Sequence, residues 1–160
     1  MEKIFLLADD DADDTELFCE ALEEIDPSII CHCATDGKKL LDLLHSETLK
    51  KPQVIFLDVN MPGMNGWECL KQLKGSEAFK HIPVIMYSTS NHQLEADHAL
   101  NMGALCYFTK PTYFHELKEI LGVLAANVNG SLSEAITHFN YIHSKKVFAC
   151  RDEKDKPKEI

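Results

Sequence analysis

The stretch Val54-Ile55-Phe56-Leu57-Asp58 decides how the rest of this sequence is interpreted. An unbroken apolar run of this length is typical of a parallel strand that is buried on both faces, because such a strand has no polar face. A carboxylate is costly in an apolar setting unless it has partners. We therefore expect Asp58 to lie just beyond the end of a central strand, among other polar groups.

Similar apolar runs recur along the chain and alternate with helical patterns. Strands are predicted at residues 4–7, 29–34, 54–57, 83–87 and 105–108, and a predicted helix follows each of them. This alternation predicts an α/β fold, a five-stranded parallel sheet doubly wound by helices on both faces. The first helix is expected to begin at Asp13, which has capping-box spacing with Glu16, and to bury Leu17.

The composition limits the classes of protein to consider. The 160 residues include 16 Lys and Arg against 26 Asp and Glu, a net charge of −10, and 45% of the residues are apolar. An acidic body disfavours DNA binding, which needs clustered basic side chains. The sequence shows no apolar run of about 18 residues and no signal peptide. We therefore expect a cytoplasmic protein without membrane insertion.

The six cysteines form no C-x-x-C pair. Cys31 and Cys33 lie two residues apart in a predicted strand, so they share one face and can pack there. For a cytoplasmic chain we interpret all six as buried, reduced thiols.

Polar side chains directly follow four of the predicted strands: Asp9 and Asp10, Asp58, Ser88 and Lys110. Ligands of open α/β sheets bind at these carboxyl ends. Three crowded carboxylates repel one another, and a hard cation such as Mg²⁺ relieves that repulsion. A lysine at the same edge can pair with a carboxylate or a phosphoryl oxygen. The pattern predicts phosphoryl transfer onto a carboxylate.

Four motifs make the sequence resemble the response-regulator receiver domain of two-component signalling. They are Leu6-Leu7-Ala8-Asp9-Asp10, residues 56–66, Ser88-Thr89 and Phe108-Thr109-Lys110-Pro111, and the likeness extends over about residues 1–126. It implies a flavodoxin-like fold and a stand-alone response regulator that is not an enzyme. Such a phosphoprotein accepts a phosphoryl group from a histidine kinase or His-phosphotransfer protein in a phosphorelay. It signals through a downstream protein that the sequence does not identify, and onward transfer of the phosphate stays open.

The resemblance also implies a role for each acidic residue of the motifs. Asp58 corresponds to the phosphoacceptor. Asp10, Asp58 and the backbone carbonyl of Asn60 correspond to the Mg²⁺ ligands, and Asp9 acts on the metal largely through water.

The remaining motif residues correspond to the phosphate-binding and switch positions. Ser88 would bind a phosphoryl oxygen, with Thr89 beside it, and Lys110 would pair with Asp58 and then with the phosphate. Tyr107 occupies the position of the switch aromatic, which is expected to turn from exposed to buried on phosphorylation. The Lys110–Pro111 peptide bond is expected to be cis by resemblance.

Two alternatives use the same acidic run. Asp11-Ala12-Asp13-Asp14-Thr15 matches the D-x-D-x-T motif of haloacid-dehalogenase-like phosphatases, with Asp11 as nucleophile. A calcium-binding loop would use Asp9, Asp11, Asp13 and Glu20, although its glycine position holds Asp14.

We divide the chain into a receiver domain, residues 1–128, and a C-terminal extension, residues 129–160. Ser131 and Glu134 have capping-box spacing and precede Ile136 and Phe139, which predicts an extra helix at about 132–144 and then a charged tail. The helix is expected to pack on the receiver, and a dimerisation or partner-binding segment is the alternative.

Overall fold

A computed structural model describes residues 2–143 and 147–150, with side chains up to residue 139. Strands and helices alternate as the sequence predicts. None of the described helices has the length and apolarity that crossing a membrane requires. The elements are β1 (Lys3–Ala8), α1 (Ala12–Ile25), β2 (Ile29–Ala34), α2 (Gly37–His45), β3 (Val54–Leu57), α3 (Gly66–Gly75), β4 (Val84–Ser88), α4 (Gln93–Asn101), β5 (Cys106–Thr109), α5 (Phe114–Asn127), α6 (Leu132–His143) and β6 (Val147–Cys150).

The sheet contains the five predicted parallel strands and one further strand. The strand order is β2-β1-β3-β4-β5-β6, and β6 runs antiparallel to β5 with Ala149 opposite Tyr107. The sequence predicted only a charged tail after α6, so the prediction was wrong for residues 147–150. So short a segment gives too little pattern to identify a strand that depends on a distant partner. The tail predicted for residues 151–160 lies outside the described residues.

Helices cover both faces of the sheet, as the doubly wound fold requires. Along β3, Phe56 faces the layer formed by α1, α5 and α6, whereas Ile55 and Leu57 face α2, α3 and α4. Successive side chains of a strand point to opposite faces. This explains why the strand has no polar position and why Asp58 is the first residue that can leave the core.

Helix α1 begins earlier than the sequence predicted. Its N-cap is Asp11, whose carboxylate accepts hydrogen bonds from the backbone N–H groups of Asp13 and Asp14. Asp13 therefore lies inside the first turn, where a carboxylate interacts favourably with the helix dipole. Leu17 is 44% exposed, so its predicted burial was also wrong.

The extra helix α6 extends the core. Leu132, Ile136 and Phe139 are buried in the same apolar cluster as residues of α5. Glu134 N–H donates to Ser131 Oγ at 3.2 Å, as the predicted cap requires. The described helix ends at His143, and residue 144, the predicted end, lies outside the described residues.

The cysteines differ from the prediction. Cys69 and Cys106 are buried, but Cys19 and Cys31 are only half-buried and Cys33 is exposed. The side chain of Cys150 lies outside the described residues. The prediction of burial was wrong for Cys33, because β2 is an edge strand. A hydrogen bond with Cys31 lowers the pKa of Cys19 to about 6. A second hydrogen bond, with Cys33, also lowers this pKa, whereas burial raises it. The contacts with Cys19 and Cys33, together with burial, raise the pKa of Cys31.

Replacing Ile136 by alanine should destabilise the whole domain, because the side chain fills part of the shared core. We expect Ile136→Ala to lower the free energy of unfolding by about 2–4 kcal/mol, measured by urea denaturation. His138 is exposed on the same helix, so His138→Ala should change it by less than about 0.5 kcal/mol. Equal effects of the two variants would mean that α6 does not pack on the domain.

Candidate functional site

Hydrogen bonds along the sheet set the position of the acidic pocket. Asp58 N–H donates to the Ala8 carbonyl at 2.9 Å, and Lys110 N–H donates to the Ser88 carbonyl at 2.7 Å. The ends of β1, β3, β4 and β5 are thereby held at one edge of the sheet. The residues that follow these strands are brought together there.

Lys110 lies at the centre of the pocket. Its Nζ is 2.7 Å from Asp9 Oδ2, 2.8 Å from Asp14 Oδ2 and 3.4 Å from Asp58 Oδ2. It also lies 5.4 Å from the centroid of the Tyr87 ring. Only 8% of the Lys110 side chain is exposed. A buried ammonium requires such partners, since an unpaired charge in the interior is strongly destabilising.

The two buried carboxylates differ in how tightly they are held. Asp9 accepts from Asp11 N–H at 2.9 Å through Oδ1 and from Lys110 at 2.7 Å through Oδ2. Asp58 accepts from Asn60 N–H at 3.4 Å through Oδ1 and from Lys110 at 3.4 Å through Oδ2. Charge-assisted hydrogen bonds are short when they are strong. The oxygens of Asp58 are therefore more available to a ligand or a reacting atom than those of Asp9.

Burial and neighbouring charge shift the protonation equilibria of the pocket. Burial raises the pKa of Asp58 to about 6, and the Lys110 charge opposes this rise while the Asp9 charge adds to it. Burial favours the neutral amine of Lys110, but hydrogen bonds to Asp14 and Asp9 raise the pKa of its ammonium above the ordinary value. At neutral pH the pocket therefore holds an ammonium and an ionised but poorly stabilised Asp58.

The carboxylates of Asp9, Asp10 and Asp58 form a donor set that fits a hard cation. One oxygen from each lies within 4.8 Å of the others. Asp9 and Asp58 are buried and Asp10 is exposed, so the set is open to solvent on one side. Oxygen ligands with positions left for water are what Mg²⁺ prefers in proteins. Asn60, whose backbone carbonyl is the predicted fourth ligand, is exposed two residues after Asp58.

The loop between β3 and α3 holds the Asp58 backbone in place. Gly66 N–H donates to the Val59 carbonyl at 3.0 Å. A Cβ atom at Gly66 would collide with the carbonyl oxygen of Asp58, and Gly63 adopts a φ of 69°. Glycine is needed at Gly66 for this close approach and is favoured at Gly63 by the left-handed backbone.

Ser88 and Tyr107 lie on neighbouring strands beside the pocket, and both are fully buried. The Tyr107 hydroxyl lies 2.9 Å from the Ser90 carbonyl oxygen and 2.9 Å from Glu95 Oε2, either of which can accept its hydrogen. The prediction that Tyr107 starts out exposed was therefore wrong, because these acceptors satisfy its hydroxyl inside the protein.

Two further residues of the motifs have simpler positions. Thr89 is exposed beside Ser88. The peptide bond between Lys110 and Pro111 is trans, so the prediction of a cis bond was wrong.

Sequence reasoning missed two residues of the site. The sequence motifs gave Asp14 no part in the phosphoryl-transfer pocket, yet its carboxylate lies 2.8 Å from Lys110 Nζ. A helix that follows a parallel strand begins at the carboxyl edge of the sheet, so this rule brings the whole aspartate run near the pocket but does not single out Asp14. Glu95, the partner of Tyr107, carries no such signal, because a glutamate in the first turn of a helix is common for reasons of the dipole alone.

Comparison with known proteins identifies the family. The family described as the response regulator receiver domain matches residues 5–122. The chain therefore belongs to the response-regulator receiver family of two-component signalling, and its doubly wound sheet and acidic pocket agree with that membership.

Individual relatives match over different extents, and the chain spans less than half the length of several of them. A protein-glutamate methylesterase/protein-glutamine glutaminase of Methanococcoides burtonii is 30% identical over 88% of this chain, which spans only 39% of that longer protein. The chemotaxis protein CheY of Pseudomonas aeruginosa is 33% identical over 61% of this chain and 76% of its own length. The Mn²⁺-bound structure of response regulator Rcp1 has a TM-score of 0.67 and 27% identity, over 78% of this chain and 92% of its own.

The two alternatives from the acidic run are not supported. The carboxylate of Asp11, the nucleophile of the phosphatase hypothesis, caps α1 and is exposed. Glu20 lies in the middle of α1, so residues 12–20 form a helix and cannot wrap around a calcium ion. The family match supports neither activity.

The raised pKa of Asp58 predicts a pH-dependent stability. Between about pH 4 and about pH 6 the folded protein keeps a proton that the unfolded chain has lost, so the free energy of unfolding falls as the pH rises. Asp58→Asn removes this effect. We expect the variant to be more stable than the parent by about 1–3 kcal/mol at about pH 7.5, and by less at about pH 5, in urea denaturation.

The exposed Glu47 provides the control for this comparison. Glu47→Gln should leave the stability nearly unchanged at both pH values, since a surface substitution of this kind alters few contacts. A gain for Asp58→Asn that is the same at both pH values would contradict the explanation by Asp58 ionisation.

Proposed function

We propose that this chain is a phosphorylation-controlled response regulator that accepts a phosphoryl group on Asp58 from a phosphohistidine of a histidine kinase or phosphotransfer protein. The observation that carries the proposal is the environment of Asp58. It is a buried carboxylate with two long contacts of 3.4 Å, beside an ammonium that can pair with incoming phosphoryl oxygens.

The transfer requires little movement within the pocket. An Asp58 oxygen forms a bond to phosphorus while the P–N bond of the donor breaks, and the released imidazole takes up a proton from solvent. Negative charge on the phosphoryl oxygens then lies near Lys110, which already contacts Asp58. Catalysis of phosphoryl transfer comes mostly from such positioning and charge stabilisation.

Asp9, Asp10, Asp58 and the carbonyl of Asn60 are the residues that would hold Mg²⁺. The bound ion would supply positive charge for the phosphoryl oxygens. Asp9, whose two oxygens are already hydrogen-bonded, also positions Lys110. Asp10 is exposed and offers its carboxylate directly.

Asp58 is expected to be the site of acyl phosphate formation. Incubation with acetyl phosphate and Mg²⁺ should add about 80 Da, one phosphoryl group, to the protein. Asp58→Asn should abolish the addition, and Asp10→Asn should slow it by at least about tenfold, since it removes a metal ligand. Intact-mass spectrometry measures both effects.

Asp11→Asn is the matched control, because asparagine is an equally good N-cap. It should be phosphorylated like the parent. Phosphorylation of Asp58→Asn, together with its loss in Asp11→Asn, would instead favour the phosphatase assignment.

We expect phosphorylation to act on the loop between β4 and α4. The Ser90 carbonyl accepts from Thr109 Oγ1 at 3.2 Å and lies 2.9 Å from the Tyr107 hydroxyl, so β5 anchors this loop at two points. We expect the Ser88 hydroxyl to move towards a phosphoryl oxygen on Asp58, and Ser90 N–H donates to the Ser88 hydroxyl oxygen at 3.3 Å. That movement pulls on Ser90 and shifts the loop between two populations.

Helix α4 is the element through which a downstream protein would sense this change. Glu95 in its first turn lies within hydrogen-bond distance of Tyr107. The neighbouring Leu94 is 82% exposed and offers a partner an apolar contact. The edge of β5 is not available to a partner, because β6 pairs with it. The proposed output surface therefore consists of α4 and the adjoining β6.

Tyr107→Phe should separate phosphorylation from its effect on α4. The variant loses the contacts of the tyrosine hydroxyl, which are worth about 1 kcal/mol. This changes the ratio of the two loop populations by about fivefold. The variant keeps every residue proposed to bind the phosphate. Hydrogen–deuterium exchange of residues 88–101, with and without phosphorylation, should therefore show a smaller difference in Tyr107→Phe than in the parent.

Tyr113 is exposed and provides the matched control. Tyr113→Phe should behave like the parent in both labelling and exchange. A full exchange response in Tyr107→Phe would show that the tyrosine hydroxyl takes no part in the switch.

A further inference from the structure

Three cysteines form a cluster at the β2 edge of the sheet, away from β4 and β5. Cys19 lies on α1, and Cys31 and Cys33 lie on the edge strand β2. The Sγ atoms of Cys19 and Cys33 are 3.5 Å apart, and those of Cys31 and Cys33 are 3.9 Å apart. All three sulfurs lie within 4.8 Å of one another.

The fold brings these sulfurs together from two separate elements. Cys31 and Cys33 are two residues apart in a strand, so both point to the face that α1 covers. Cys19 follows Phe18, whose fully buried ring fixes α1 against the sheet. The cluster therefore rests on a helix and a strand rather than on loops.

The spacing matches thiolates around one metal ion. In a tetrahedral site with Zn–S bonds of about 2.3 Å, the sulfurs lie about 3.8 Å apart. Two of the three separations, 3.5 and 3.9 Å, lie on either side of that value, and the third is no longer than 4.8 Å. Little rearrangement would be needed to accept the ion.

The exposure of the three side chains also suits a metal site. Cys19 and Cys31 are half-buried, whereas Cys33 is exposed at the open edge of the sheet. An ion could enter from solvent beside Cys33 and keep one position for water or another external ligand. Three protein ligands and one open position are a common arrangement for zinc.

We propose that Cys19, Cys31 and Cys33 bind one thiophilic divalent cation, Zn²⁺ or an ion of the same chemistry. Three metal–sulfur bonds form, and the protons of the thiols that ionise pass to solvent. The bound ion would join α1 to β2. This site is separate from the acidic pocket, whose oxygen donors prefer hard cations, and it does not depend on the function proposed for Asp58.

Cobalt provides a direct test, because Co²⁺ bound to thiolates absorbs in the near ultraviolet by charge transfer, whereas carboxylate ligands give no such band. The reduced full chain, titrated with Co²⁺, should develop the band at one equivalent, and Zn²⁺ should abolish it by displacement. Cys33→Ser should remove the band and weaken Zn²⁺ binding by more than about a hundredfold. Loss of a residue that only contacts a metal ligand weakens binding by about ten- to a hundredfold, so a larger effect indicates that Cys33 binds the metal itself.

Cys69→Ala is the matched control, since Cys69 is a thiol outside the cluster. It should keep the band, and circular dichroism should show that both variants are folded; Cys19→Ser gives a second variant with the same expected loss. A band that persists in folded Cys33→Ser, or no band in the parent, would overturn the proposal. Loss of about 2 Da in air, with no Co²⁺ binding after reduction, would identify a disulfide-forming pair instead.

Discussion

The buried ammonium of Lys110 is the constraint on which the rest of the site depends. It contacts carboxylates from the end of β1, from α1 and from the end of β3, although it belongs to the chain after β5. Moving Lys110 away from these carboxylates would leave its buried charge uncompensated, so the contacts favour one arrangement of these four elements. One ammonium cannot neutralise all of the neighbouring carboxylates. The pocket therefore keeps an excess of negative charge, which is suited to a divalent cation.

The strands could be predicted from the sequence because a strand that is buried on both faces is a continuous run of apolar residues. Residues 29–34 and 54–57 are strands with the predicted bounds. The convergence of Asp9, Asp58 and Lys110 follows from the same pattern, since each comes directly after a strand. Asp14 could not be separated from the other aspartates of the run, because helix capping and ion pairing favour the same residue type in a first turn.

The features that the sequence did not reveal depend on distant contacts. The burial of Tyr107 follows from acceptors on the β4–α4 loop and on α4, which have no signature near Tyr107 itself. Strand β6 exists because β5 offers it an edge, and a short strand has weak propensity without its partner. The exposure of Cys33 likewise follows from the position of β2 at the sheet edge, which strand order decides.

The helices differ in how much apolar surface holds them on the sheet, and this difference indicates which part of the domain can move when Asp58 is phosphorylated. Strand β5 is held by β4 on one side and β6 on the other, so its backbone has little freedom. Neither α4 nor α5 has a side chain that caps its first turn. The two helices differ in burial: α5 buries several leucines and an isoleucine, whereas α4 buries only Ala96 and Ala99. Low apolar burial marks segments that open at low free energy. A pull on Ser90 would therefore move α4 before it moved any strand, and the surface where α4 meets β6 would change because α4 shifts against a fixed strand.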